Sequence, residues 1–281
     1  MLAGEHGLSI YIEYGNRKVL LDTGTTGLFA ENARKLGISL ADVDIAVLSH
    51  AHYDHSGGFE AFFAQNLKAR LYLQSGCCEN CFRIPGRLLK TGSVRLEDLG
   101  QEELKYIGLC DGFMAKYKER LQLVDGDMSI APGIWLVAHH SPGLLKKGRT
   151  AGMCRLWGDH LEYDDFSHEQ SLVFETSQGL VIFNSCCHSG PDVVIDEVRA
   201  HPILGGRPVF ALFGGFHLKD ISGNDQGRAQ IQALGQRLLD TGVPHFYTGH
   251  CTGEAAFEQL SKILGERLHY FKTGDTATDN M

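Results

Sequence analysis

The 281-residue sequence has no run near the ~20 consecutive apolar residues that span a bilayer. Its start, Met1-Leu-Ala-Gly-Glu-His6, lacks a basic segment followed by an apolar one. A cytoplasmic protein with no membrane partner is the expectation. Basic runs are also missing: 26 Lys and Arg stand against 34 Asp and Glu, a formal charge of −8, so nucleic acid is not expected as a partner. Neither a Gly-x-Gly-x-x-Gly fingerprint nor a Gly-Lys-Ser/Thr loop occurs, which removes nicotinamide dehydrogenases and P-loop NTPases. There is no fixed-period repeat and no low-complexity tract, so solenoids and propellers drop out. Eight cysteines without a secretion signal read as reduced thiols or metal ligands rather than as a disulfide framework.

What is present is an alternation of strands and helices. Short apolar or β-branched runs lie at 8–13, 19–21, 45–48, 71–73, 134–137, 172–175, 180–183, 209–213, 245–247 and 268–271. Between them, 28–36, 58–64, 192–200, 226–240 and 253–264 space their apolar residues by three or four, with Gly37, Gly242 and Gly265 at C-cap positions. The class is α/β. Residues 76–133 break the rhythm. That stretch is charged, with helical patterns around 102–107 and 113–121, and is read as a helical insertion acting as a lid within a single domain spanning 1–281.

The strand at 45–48 runs into Ser49-His50-Ala-His52-Tyr-Asp54-His55-Ser-Gly57-Gly58, four strong metal ligands within six residues. His50 and His52, two apart in an extended segment, would point to one side, while Asp54 and His55 fall where the chain turns into a helix. One pair can hold one ion and the next a second beside it. One loop cannot close two sites, so further ligands are expected at the carboxyl ends of other strands. Asp22-Thr-Gly24 follows 19–21, Asn184-Ser-Cys186-Cys187-His188 follows 180–183, Gly214-Gly215-Phe-His217 follows 209–213, and Thr248-Gly249-His250-Cys251 follows 245–247. His188 and His250 are the strongest additional ligand candidates, and Asp22 is expected to brace the ligand loop. Cys78-Glu-Asn-Cys81 is a lone C-x-x-C without a thioredoxin-like unit, and Cys110 and Cys154 lack any such spacing, so all read as ordinary thiols.

The motif at His50, with Leu21-Asp22-Thr23-Gly24 upstream and Thr248-Gly249-His250 downstream, resembles the metallo-β-lactamase superfamily. Glu5-His-Gly-Leu-Ser, Ser185-Cys186-Cys187-His188-Ser-Gly190, Gly214-Gly-Phe-His217-Leu and His250-Cys-Thr-Gly253 are similar to its dihydropterin-methyl ribofuranosylaminobenzene phosphate synthase-like branch. The resemblance implies a four-layer αββα sandwich with a dinuclear metal site and a hydrolytic reaction. Carried over, His50, His52 and a third His hold one ion, and Asp54, His55 and His250 the other. His188 is assigned as the third His, with His139 of the His139-His140 pair as the alternative. The bridging Asp common in the superfamily has no counterpart after Asn184, so a Cys186 or Cys187 thiolate or water alone would bridge. The branch also has a strand before Glu-His-Gly-Leu, so either that strand is absent here or the start was placed late.

The expected reaction is hydrolysis of a small phosphoester, thioester or lactone by water that two divalent ions acidify from a pKa of ~15.7 toward ~7. Zinc is expected, with iron or manganese also compatible. Asp54 would orient the nucleophile and take its proton, and His217 would contact substrate. Two alternatives stand beside this. One is a metal-binding sensor with little turnover. The other is a transferase in pterin-cofactor assembly, for which Phe82, Arg83, Arg87, Phe113 and Tyr117 of the insertion would supply a substrate pocket. The partner is a small molecule, with a homodimer left open.

Overall fold

The computed structural model describes residues 1–85, 88, 92–219, 221 and 223–278. It divides into two compact units, Met1–Gly126 with His140–Gln170, and Asp127–His139 with Ser171–Met281. The first unit holds a five-stranded sheet in the order β1-β2-β3-β4-β8, formed by β1 (Ile10–Tyr14), β2 (Arg17–Leu21), β3 (Ile45–Val47), β4 (Arg70–Gln74) and β8 (Leu121–Val124). After the β1–β2 hairpin every pairing in it is parallel. Helices α1 (Leu28–Lys35), α2 (Tyr53–Ser56) and α3 (Phe59–Gln65) make its crossovers. The core gathers Leu20, Ala46, Leu48, Leu71 and Leu73 with Phe59 and Phe62.

The same unit carries a second, antiparallel sheet in the order β6-β12-β11-β5-β7. Its strands are β5 (Cys81–Arg83), β6 (Ser93–Arg95), β7 (Lys105–Tyr106), β11 (Met153–Trp157) and β12 (His160–Tyr163), with helix α5 (Leu144–Ala151) leading into β11. The helical patterns expected at 102–107 and 113–121 therefore resolve differently. The first becomes a single 3-10 turn followed by β7, and the second a four-residue helix, α4 (Phe113–Lys116), followed by β8. The reason is non-local pairing: Phe82 and Arg83 pair with Tyr106 and Lys105, and Leu71 with Leu121, so tertiary partners override local propensity. Phe113 is buried against Phe59, and Tyr117 packs on Phe63, so these two aromatics belong to the core rather than to a substrate pocket. Arg87 lies outside the described residues.

The second unit is built on a seven-stranded sheet, β17-β16-β15-β14-β13-β10-β9. Its strands are β9 (Met128–Ala131), β10 (Ile134–Ala138), β13 (Gln170–Glu175), β14 (Leu180–Phe183), β15 (Val209–Phe213), β16 (His245–Thr248) and β17 (Leu268–Tyr270). From β14 to β17 the pairing is parallel. The intervening segments form α6 (Pro191–Ala200), α7 (Asp225–Asp240) and α8 (Glu254–Leu264). Near-continuous apolar runs such as Leu180–Phe183 and Val209–Phe213 suit strands covered on both faces. Their side chains pack with Val194, Ile195, Ile231, Leu238 and Leu260 of the helices. Asn224 caps α7 by accepting the Gly227 N–H at 2.8 Å, and Pro191 occupies the first turn of α6. All ten strands and all five helices read from periodicity are present within a residue or two. No helix among the described residues is long and apolar enough to cross a membrane.

Candidate metal centre

In the first unit, the chain after β3 does not stay extended. The His52 N–H donates to the His50 carbonyl at 3.0 Å, a tight bend that sets the two imidazoles edge to face, 4.6 Å apart. His55 comes from α2, its ring 4.2 Å from that of His50, and the Asp54 carboxylate lies 3.6 Å from His55 Nε2. Bending rather than pleat alternation is what gathers these four residues.

Asp22 organises them. It sits at the end of β2 in the left-handed region, φ +57°, which few residues other than glycine, Asn and Asp tolerate. Its Oδ1 accepts the Ser49 N–H and its Oδ2 the Ser49 hydroxyl, both at 2.7 Å, and Oδ2 also lies 2.7 Å from His55 Nδ1. Ser49 Oγ in turn meets His50 Nδ1 at 2.8 Å. With both Nδ1 atoms engaged, Nε2 is the nitrogen that His50 and His55 have for a metal, the arrangement in which a carboxylate orients a ligating imidazole. The bend is closely backed: a Cβ on Gly57 would come within 2.0 Å of the Thr25 carbonyl.

The Glu5-His-Gly-Leu motif is tied to this loop. Glu5 accepts the N–H groups of Thr25 and Thr26, Leu8 N–H donates to the Asp54 carbonyl at 3.2 Å, and His6 Nε2 lies 3.3 Å from Asp54 Oδ2. A second support was not legible in the sequence. Ala51, between His50 and His52, donates its N–H to His168 Nδ1 at 3.2 Å, and His168 Nε2 donates to the Asp164 carboxylate at 3.1 Å. Burial alone would raise the Asp164 carboxyl, but the His168 ring and the Phe166 N–H outweigh it and hold it well below the ordinary carboxylate range. No motif announces His168, because it meets Ala51 from 117 positions away.

In the second unit the carboxyl ends of three parallel strands gather a further set. The ligand atoms of Cys186, His188 and His217 lie within 4.8 Å of one another, as do those of Cys186, His250 and Cys251. His217 (φ +51°) and His250 (φ +48°) both sit in left-handed turns, and such strained backbone concentrates at functional sites. Thr252 Oγ1 accepts the Phe216 N–H at 2.9 Å, and the Leu218 and Lys219 N–H groups donate to the Cys251 carbonyl. Burial acts to raise the Cys251 thiol, yet its hydrogen bond with Cys186 and the nearby His250 and His217 hold it well below the ordinary thiol value. The neighbours differ. Cys187 packs in the core of the unit with its Sγ against the Asn184 carbonyl. His139 has both ring nitrogens engaged, Nδ1 with Glu197 at 2.6 Å and Nε2 with Ser171 at 2.7 Å.

Each unit therefore presents buried imidazole nitrogens, joined in the first by carboxylates and the Cys81 thiol and in the second by thiols. The Nε2 atoms of His50, His52, His188 and His250 are all buried. The donor types, imidazole nitrogen with carboxylate oxygen and thiol sulfur, suit a divalent transition metal.

The chain has the metallo-β-lactamase fold. The family model described as the Metallo-beta-lactamase superfamily matches residues 2–70, which include the ligand loop. A solved structure, Tm1679, described as a metal-dependent hydrolase of the β-lactamase superfamily, is similar with a TM-score of 0.71, at 24% identity over 94% of this chain and 88% of that one. Among curated proteins, the chain is similar to the 7,8-dihydropterin-6-methyl-4-(beta-D-ribofuranosyl)-aminobenzene-5'-phosphate synthase of Methanocaldococcus jannaschii. Identity is 29%, covering 94% of this chain and 88% of the relative. An uncharacterized protein of the same organism is 24% identical over 92% of this chain and 88% of its own length. The resemblance read from the motifs, to the superfamily and to its synthase-like branch, is borne out. The hydrolytic reaction is not: the named relative over nearly the whole chain is a synthase, and the likeness to Tm1679 speaks to fold alone.

Proposed function

We propose that this chain is a metal-dependent synthase that joins a dihydropterin-methyl group to the amino nitrogen of a ribofuranosyl-aminobenzene phosphate. The observation that carries this reading is the 29% identity to a synthase of that product across 94% of the chain. The metal ligands we assign are His50, His52, Asp54, His55, His188 and His250, holding two divalent ions, zinc by donor set. When bound, such ions supply Lewis acidity toward an oxygen leaving group or a phosphate.

The chain's own residues do the rest. The arylamine nitrogen attacks the methylene carbon on the pterin, a C–N bond forms, and the leaving group departs with the electron pair of the bond it had to that carbon. The proton released from nitrogen goes to Asp54, whose carboxylate lies 3.3 Å from His6 Nε2 as a relay outward. His217, on its Gly-Gly turn, contacts the substrate phosphate. The test is to incubate metal-loaded protein with the arylamine phosphate and a 6-methyl-activated dihydropterin, and to follow the coupled product by mass spectrometry. Coupling that disappears with chelator and in Asp54→Asn supports the reading. Release of the leaving group into water without coupling would overturn it.

A further inference from the structure

The second unit holds two buried thiols that the synthase chemistry does not use. Cys186 Sγ and Cys251 Sγ are 3.5 Å apart. Both are buried, and both share a ligand cluster with His250. Cys186 comes from the turn after β14 and Cys251 from the turn after β16, so the sulfurs meet only because their strands are two apart in one sheet. Gly215 is shaped to the pair: a Cβ there would fall 2.3 Å from Cys251 Sγ. The third thiol of this region, Cys187, turns into the core.

The separation decides between two uses of a thiol pair. A disulfide needs ~2.05 Å between sulfurs. Two zinc–sulfur bonds of ~2.3 Å meeting at a tetrahedral angle place the sulfurs about 3.8 Å apart, close to what is observed. We propose that Cys186 and Cys251 form a dithiolate chelate for a divalent metal, with His250 as a nitrogen ligand to the same ion. The second unit would then bind its metal with sulfur rather than with imidazole and carboxylate alone. A two-sulfur site selects zinc or iron over magnesium, calcium or manganese.

This inference rests on the chain binding metal and is independent of the synthase reaction. The experiment is cobalt(II) loading of the full chain, purified without oxygen, read by absorption. The wild type should show an intense thiolate-to-cobalt charge-transfer band in the near ultraviolet. The band should lose about half its intensity in Cys186→Ser and in Cys251→Ser, and keep it in Cys187→Ala and Cys81→Ala. Should a serine variant fail to fold, a wild-type spectrum without the band still overturns the dithiolate, and a band lost in Cys81→Ala does so as well. Cobalt d–d bands without charge transfer would overturn the dithiolate while leaving metal binding and the synthase reading standing. A band undiminished in both serine variants, or recovery of Cys186 and Cys251 as a disulfide from protein kept free of oxygen, would also overturn it.

Discussion

One carboxylate, that of Asp22, touches both Ser49 groups and His55 and so reaches His50 and His55 at once. Substituting Asp22→Asn keeps its shape and its tolerance of positive φ but removes the charge that orients His55. Metal affinity should fall about 10–100-fold, the cost of losing an outer partner of a ligating imidazole. Competition against a chromophoric chelator measures it, with circular dichroism to confirm an intact fold. Unchanged affinity would remove the bracing role. Asp22 was legible because it stands where a buried strand stops, in Leu-Asp-Thr-Gly, and a polar residue there has few other uses. His168 was not, since a lone histidine carries no periodic or motif signal and its partners, Ala51 and Asp164, become neighbours only through the tertiary fold.

The candidate ligands collect where parallel strands end, and the turns that carry them were readable because each follows an apolar run and contains glycine. The antiparallel sheet of the first unit was not readable in this way. Its strands are two to five residues long, and Phe82 and Tyr106 pair across a long loop, so no local pattern distinguishes them from helix or coil. Strand junctions also carry a titratable stitch. Asp44, just before β3, accepts from Lys68 Nζ at 2.9 Å and from the Lys18 N–H at 3.0 Å, and these bonds hold its carboxyl below the ordinary value. A depressed carboxyl pKa contributes stability that is present above the unfolded value of ~3.9 and is lost as pH falls through the folded one. Because the pair is partly solvent-screened, Asp44→Asn should cost about 0.5–1 kcal/mol at neutral pH, shrinking at about pH 3. Urea denaturation at both values checks this, and an equal deficit at the two would show that the charge is not its source.

For the whole chain, metal that binds only the folded state adds stability by mass action, about 2.7 kcal/mol at a hundredfold excess over Kd. Dialysis against chelator should therefore lower Tm by about 5–10 °C, and restoring the ion should raise it again. A melting curve indifferent to chelator would mean that the imidazole clusters hold no ion. Much was determined by sequence alone: an α/β chain with candidate ligands after its strands, His50, His52, Asp54 and His55 gathered in one loop, and the superfamily likeness. Those features are local, since a buried strand, its terminating turn and the residues on that turn are neighbours in the chain. Only the tertiary structure decided that Cys186 and not Cys187 joins the histidines, that Cys251 comes to meet it, and that His168 holds the ligand loop. Each of those facts depends on which strands lie side by side and which way a turn faces, and no spacing along the chain records either.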